Sequence, residues 1–245
     1  MSLSKQRFCI FSFVAIIAGL SVMISPFSWA YDGKPAPLPS HEKPEKIEGV
    51  GIDEKLGTTI DSSLKFKNEL GEIVTLGQFY NGQQPVIISM VYFSCPGLCN
   101  FHLNGLTDGL KGLDWSTGQK YQVLAISFDP KENPDLAVKK KESYMKIYNR
   151  PGAEQGWHFL TGDEENIKKL TQQIGFKYKW IPAENEWAHS SAAIVTSPKG
   201  VVTRYLPGIF FEAKDIKLAL NEATQGKIGN FIDSNTVNQP FIYKI

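Results

Sequence analysis

From about residue 50 onward, the apolar positions of the chain predict strands that alternate with helices. "PVIISMVYF" (85–93) and "YQVLAISF" (121–128) are unbroken apolar runs rich in β-branched residues, which is typical of strands buried on both faces. "WHFL" (157–160) predicts a shorter strand. Two hairpins are expected where strand patterns flank turn residues, one over 64–76 and one over 191–206.

Four helices are predicted between and after these strands. After the first central strand, one apolar stripe recurs at spacings of four and three, which indicates a helix packed on the sheet. Its members are Cys99, Leu103, Leu106, Leu110 and Leu113. A second helix is expected from Asn133-Pro134, a capping side chain followed by proline, to about Asn149. A third follows Asp163, and a last one covers about 214–224.

This order of elements predicts the fold class. Strand, helix, strand, helix, strand pair and helix form an α/β fold with a mixed sheet flanked by helices. The arrangement is thioredoxin-like, with an N-terminal β-hairpin extension and an insertion between the two halves. In open sheets of this kind, sites lie at the carboxyl ends of the strands. Cys95 and Asp129 each follow a central strand, so both are expected at one edge.

The first thirty residues predict export. Lys5 and Arg7 form a positive start, residues 8–24 are almost wholly apolar, and Ser28-Trp29-Ala30 provides a small-residue cleavage pattern. Residues 1–30 are therefore a signal peptide or an N-terminal membrane anchor. Either way the remainder is expected in the periplasm or on the outer face of the cytoplasmic membrane.

The remaining chain divides into three segments. Residues 31–48 contain four prolines among charged residues and predict an extended tether. Residues 49–225 form the predicted thioredoxin-like domain. Residues 226–245 form a C-terminal tail without a clear period.

The charge balance excludes one class of partner. The chain has 26 basic and 25 acidic residues, a net charge of +1, and no basic stripe. Nucleic-acid-binding domains normally have a basic excess, so no nucleic-acid partner is expected.

The candidate chemistry is concentrated in "YFSCPGLCNFH" (92–102). The exported part of the chain contains two cysteines, Cys95 and Cys99, four positions apart. A thiol near a helix N-terminus tends toward the thiolate form, which is both a nucleophile and a soft metal ligand. Spacing alone leaves four alternatives: a disulfide-exchange centre, a peroxidatic cysteine, a structural disulfide and a metal site. A disulfide that closes so short a loop would add little stability.

Four histidines are candidates for a third ligand. His41 lies in the tether, His102 lies one turn after Cys99, and His158 lies beside a tryptophan. His189 precedes a strand of the second half, and in a thioredoxin-like layout the loop before that strand returns to the N-terminus of the first helix. The layout therefore favours His189. Two sulfurs and one imidazole suit Cu(I) at low coordination, whereas structural zinc normally has four ligands.

Four segments together resemble the bacterial branch of the SCO/SenC family: "VYFSCPGLCN", "SFDP", "GWHFLTG" and "AHSSAAIVTSPKGVVTRYLPGI". The resemblance covers about residues 60–225. It implies a thioredoxin-like copper protein that assists assembly of cytochrome c oxidase, with copper ligands at Cys95, Cys99 and His189 and a site-adjacent acid at Asp129. Many members have proline after the second cysteine, where this chain has Asn100.

The resemblance implies a metallochaperone that receives copper from an upstream donor and delivers it to the CuA subunit of cytochrome c oxidase. The same cysteine pair, as a redox disulfide, could also reduce cysteines of the recipient. The rival hypothesis is an exported thiol–disulfide oxidoreductase or thiol peroxidase. A peroxidase would need a serine or threonine and an arginine near the thiolate, for which Ser94 and Arg204 are the available residues.

Overall fold

The computed structural model describes residues 48–229 of the chain. The predicted signal peptide or anchor, nearly all of the predicted tether, and the tail from residue 230 lie outside the described residues. Among residues 48–229, no helix combines the length and the apolar character needed to cross a membrane.

The predicted central sheet is confirmed, and it has five strands in the order β10-β9-β4-β5-β6. Strand β4 is the middle strand of this sheet, and all six of its side chains are buried. It pairs in parallel with β5 and antiparallel with β9. Strands β5 and β6 are also parallel, and β9 and β10 form the predicted second hairpin. The strand bounds are β4 Val86–Val91, β5 Gln122–Ser127, β6 Trp157–Leu160, β9 Ala192–Thr196 and β10 Val202–Pro207.

All four predicted helices are present. They are α1 Leu98–Lys111, α2 Pro134–Tyr148, α3 Glu164–Gln173 and α4 Ala213–Thr224. The caps of two helices form as the sequence indicates, since the side chains of Asn133 and Asp163 accept hydrogen bonds from the third residue beyond each of them. Helix α1 contacts both α2 and α4, so these three helices form one layer.

A close approach fixes α1 in this layer. A Cβ atom added to Gly105 would lie 1.8 Å from the carbonyl oxygen of Ile209, so only glycine lets the segment after β10 pack on the helix. The N-terminus of α1, which contains Cys99, is thereby held at the edge of the sheet.

The smaller strands form two further sheets. The predicted first hairpin is β2 Lys65–Lys67 and β3 Ile73–Thr75. A three-stranded sheet, which the sequence analysis did not predict, has the order β1-β7-β8. Its bounds are β1 Gly51–Ile52, β7 Phe176–Ile181 and β8 Glu186–His189. His189 is thus the last residue of a strand, and its expected position in a loop was wrong.

Candidate metal centre

The loop between β4 and α1 is folded by its own backbone. The Cys95 N–H donates to the Tyr92 carbonyl (3.2 Å), and the Asn100 side chain donates to the Cys95 carbonyl (2.9 Å). Helix α1 then begins at Leu98, so Cys99 lies in its first turn. The Cys99 N–H points at the Cys95 sulfur at 3.5 Å. The helix N-terminus therefore supplies a donor to the first cysteine.

The ligand atoms of Cys95, Cys99 and His189 lie within 4.8 Å of one another. Within residues 48–229 they are the one group of three histidine, cysteine or acidic residues that meets this spacing. The Cys99 Sγ is 3.4 Å from His189 Nε2, and neither cysteine is in a disulfide. Each of the three residues is 2% exposed. The three sequence-predicted residues are therefore brought together as a buried group with a spacing that could hold a metal ion.

The ring of His189 is held with one nitrogen facing the thiols. Its Nδ1 lies 2.9 Å from the Ser190 carbonyl, which can only accept, so Nδ1 is the protonated nitrogen. Nε2 consequently faces the sulfurs, 3.4 Å from the Cys99 Sγ. Phe128 and Tyr92 pack against the ring with centroid distances of 5.2 and 5.8 Å. The imidazole is therefore already oriented with one nitrogen toward the sulfurs, as a metal ligand would be.

The two thiols have opposite tendencies to ionise. A hydrogen bond from Cys99, reinforced by His189 and by main-chain N–H groups and opposed by burial, lowers the pKa of Cys95 from 9.0 to about 3. Burial, followed by the neighbouring Cys95 thiolate, raises the pKa of Cys99 well above 9.0. The metal-free pair is therefore a thiolate beside a thiol. A metal that binds both sulfurs must displace the Cys99 proton, so binding weakens as pH falls.

Asp129 lies at the carboxyl end of β5, as predicted, but it is not within the group of ligand atoms. Its Oδ2 accepts a hydrogen bond from Trp187 Nε1 (3.0 Å), and its Oδ1 accepts one from the Lys131 N–H (2.9 Å). Trp187 lies on β8 two residues before His189. Asp129 therefore links the end of β5 to the strand that contains His189.

Glu132 is a site residue that the sequence analysis missed. Its carboxylate accepts hydrogen bonds from the Phe93 N–H, the Ser94 N–H and the Ser127 hydroxyl, each at 2.6 Å. Phe93 and Ser94 immediately precede Cys95, and Ser127 ends β5. This buried carboxylate therefore fixes the cysteine loop against the neighbouring strand.

The other histidines are not part of the ligand group. His102 is buried, and its ring nitrogens lie 2.9 Å from the hydroxyls of Ser191 and Ser89. His158 is half-buried and packs on Phe79 with a ring-centroid distance of 4.7 Å. His41 lies outside the described residues. His102 and His158 are thus packing residues of the described domain.

His102 predicts a pH effect on stability rather than on metal binding. Burial lowers its pKa from 6.5 to about 4, so between these values the unfolded chain binds more protons than the folded protein. The contribution of His102 to the free energy of unfolding is therefore fully present above about pH 6.5. It falls by about 3 kcal/mol as the pH drops toward 4. We expect urea unfolding of metal-free His102→Gln to depend less on pH across this window than unfolding of the wild type. Parallel pH profiles would contradict this role, and copper binding should be retained.

Comparison with solved structures gives the same fold. A candidate electron transfer protein from Aquifex aeolicus VF5 matches with a TM-score of 0.60 and 23% identity over 70% of this chain and 95% of that one. Copper-bound Arabidopsis thaliana ScoI matches with a TM-score of 0.54 and 17% identity, over 70% of this chain and 99% of that one. BsSco is described as a member of the Sco family of cytochrome c oxidase assembly proteins. It matches with a TM-score of 0.54 and 21% identity, over 72% of this chain and 99% of that one.

Comparison with individual curated proteins found no match. The family model described as SCO1/SenC matches residues 53–224, which is most of the chain and nearly all of the described domain. The matched range includes both cysteines of the loop and the histidine at the end of β8. The chain therefore belongs to the SCO1/SenC family.

Proposed function

We propose that this protein is a copper-binding metallochaperone whose copper ligands are Cys95, Cys99 and His189. One observation carries the proposal: two sulfurs and an imidazole nitrogen, all from buried residues, lie within 4.8 Å of one another. Copper is the cargo of the site.

The donor set favours copper over other metals. Thiolate sulfur and imidazole nitrogen are ligands that soft, low-coordinate Cu(I) prefers. A structural zinc site would use a fourth protein ligand, and no fourth histidine, cysteine or acidic side chain joins the group among residues 48–229. Arabidopsis ScoI, which shares the fold, was solved with copper bound, and this supports the choice.

The recipient that we propose is the copper-site subunit of cytochrome c oxidase, at its CuA centre, with copper arriving from an upstream donor. Family membership and the stated role of BsSco in oxidase assembly support this recipient.

The signal-peptide or anchor pattern of residues 1–30 supports an exported location, in the periplasm or on the outer face of the membrane. Ser94 and Pro96 are exposed on either side of buried Cys95, so the cysteine loop reaches the surface next to a proposed ligand.

A thiol–disulfide exchange activity is the second candidate, and the contrast between the two thiols favours it. The Cys95 thiolate could attack a disulfide of the recipient, and Cys99 could then resolve the mixed disulfide, which leaves Cys95 and Cys99 oxidised. This form could not hold copper. The thiol peroxidase alternative has less support. Arg204, the arginine available to activate a thiolate, is instead paired with Glu222 of α4 at 2.5 Å.

Copper stoichiometry of the reduced protein tests the main proposal. We expect one copper per chain in the wild type and a large loss of affinity in His189→Ala, because the imidazole is one of three ligands. His158→Ala is the matched control, since that histidine packs on Phe79 outside the group, and it should bind copper as the wild type does. Unchanged affinity in His189→Ala would exclude His189 as a ligand. A wild type that binds no copper but reduces disulfides would favour the oxidoreductase.

A further inference from the structure

The side chain of Asn100 connects the cysteine loop to helix α2. Its Nδ2 donates to the Cys95 carbonyl (2.9 Å), and its Oδ1 accepts from the Lys140 ammonium (2.6 Å). A carbonyl oxygen can only accept and an ammonium can only donate, so these two neighbours fix the direction in which the amide points. The position therefore requires a side chain that is a donor at one end and an acceptor at the other.

Asn100 also holds the start of α1. Gly97, the N-cap residue of this helix, has no capping side chain. The Asn100 N–H donates to the Gly97 carbonyl (2.9 Å), while the Asn100 side chain reaches back to Cys95. Asn100 thus ties the loop to the first turn of the helix in place of a capping side chain.

Cys95 is the proposed ligand whose main chain Asn100 holds. The Cys95 N–H donates to the Tyr92 carbonyl (3.2 Å), and the Cys95 carbonyl accepts from Asn100. Because both main-chain groups are held, the direction in which the Cys95 side chain leaves the loop is set. The sulfur is therefore kept beside the ligand atoms of Cys99 and His189 by contacts outside the ligand group.

Helix α2 contacts Asn100 at two points. Lys140, which is half-buried, reaches the amide oxygen. Tyr144 lies one turn further along α2, and its hydroxyl is 3.0 Å from the Asn104 amide oxygen and 3.4 Å from the Asn100 carbonyl. One face of α2 therefore holds both the side chain and the main chain of Asn100.

We propose that Asn100 and Lys140 are positioning residues of the copper centre that act in series. Lys140 orients the amide of Asn100, and the amide holds the Cys95 main chain so that the sulfur is in place for the metal. This inference rests on the proposed copper-binding function. It extends the copper centre from its three ligands to a residue of α2 that touches none of them.

The test is Asn100→Leu, which keeps a side chain of similar size and removes both of its hydrogen bonds. Cu(I) affinity in chelator competition should fall roughly fivefold, the factor that corresponds to one neutral hydrogen bond. The sulfur-to-Cu(II) charge-transfer band should change in wavelength and intensity, because it depends on the orientation of the Cys95 sulfur toward the metal. A residue that only stabilises the fold would change neither quantity well below the melting temperature.

Lys140→Met tests the second step, since it removes the ammonium and keeps an unbranched side chain. It should lower Cu(I) affinity by a smaller factor than Asn100→Leu does. Combined with Asn100→Leu it should cause no further loss, because Lys140 acts through Asn100. Lys139→Met is the matched control, because it removes the same charge from an exposed neighbour on α2 and should bind copper as the wild type does.

Wild-type affinity and spectrum in Asn100→Leu would overturn the role of Asn100. Wild-type affinity in Lys140→Met, or equal losses in Lys140→Met and Lys139→Met, would overturn the role of Lys140. So would a Lys140→Met effect that persists beside Asn100→Leu, because it would show an effect of positive charge alone. If circular dichroism shows that Asn100→Leu does not fold, the comparison of the two lysine variants decides. A wild type that binds no copper would overturn both this inference and the proposed function.

Discussion

Serine in place of Cys99 is expected to abolish tight copper binding while the domain still folds. Cys99 supplies one of two sulfurs, and a hydroxyl is a poor ligand for Cu(I). The loss of affinity should therefore exceed the roughly tenfold to hundredfold effect typical of residues around the ligands. The fold should persist, because a serine oxygen can accept the hydrogen bond that the Tyr92 N–H now donates to sulfur.

Cys95→Ser should give the same loss of copper, because it removes the other sulfur. The matched control is His158→Ala, which changes a side chain that packs on Phe79 outside the ligand group and leaves both proposed sulfur ligands in place. Its Cu(I) affinity, measured by competition with a chromophoric chelator, should equal that of the wild type. Tight binding by either Cys95→Ser or Cys99→Ser would contradict a two-sulfur site.

The second large effect is expected at Glu132, where alanine should lower the free energy of unfolding by about 2–4 kcal/mol, since a buried donor that loses its acceptor costs about 1–3 kcal/mol. Alanine removes the acceptor that is shared by the buried Phe93 N–H, the part-buried Ser94 N–H and the buried Ser127 hydroxyl. Urea unfolding of the metal-free protein measures this change. Copper affinity should also fall, by roughly tenfold to hundredfold, because the residues released from the carboxylate precede Cys95.

Glu165→Ala provides the control for Glu132. Glu165 lies in the first turn of α3, its side chain is 75% exposed, and it pairs with Lys169 at the surface. Such exposed pairs contribute about 0–1 kcal/mol, so this variant should unfold nearly as the wild type does. Equal stabilities for Glu132→Ala and the wild type would show that the cysteine loop is held by other contacts.

The sheet, the helices and the ligand group could be predicted because their signals are local or topological. Strand β4 is a continuous apolar run, α1 has an apolar stripe, and α2 and α3 begin at capping residues. The parallel pairing of β4 with β5 places Cys95 and Asp129 at one edge, as the predicted topology required. Topology also brought His189 to the cysteines, although it lies in a strand and not in a loop.

The β7–β8 hairpin was missed although its signal is present. In "FKYKW" (176–180) aromatic residues alternate with exposed lysines, which is a strand pattern, and Asn185 occupies the left-handed conformation at the turn. Glu132 could not be identified in this way. Glu132 is one charged residue among several in "DPKENPD", and its role depends on contacts 38 and 39 residues distant along the chain.

X-ray absorption spectroscopy of the reduced, copper-loaded protein tests the central claim most directly, because it counts the atoms bound to the metal. The account predicts two sulfurs and one imidazole nitrogen per copper, with the nitrogen contribution lost in His189→Ala and one sulfur lost in any residual binding by Cys99→Ser. Copper bound only through nitrogen and oxygen, or with one sulfur in the wild type, would contradict a centre made of Cys95, Cys99 and His189.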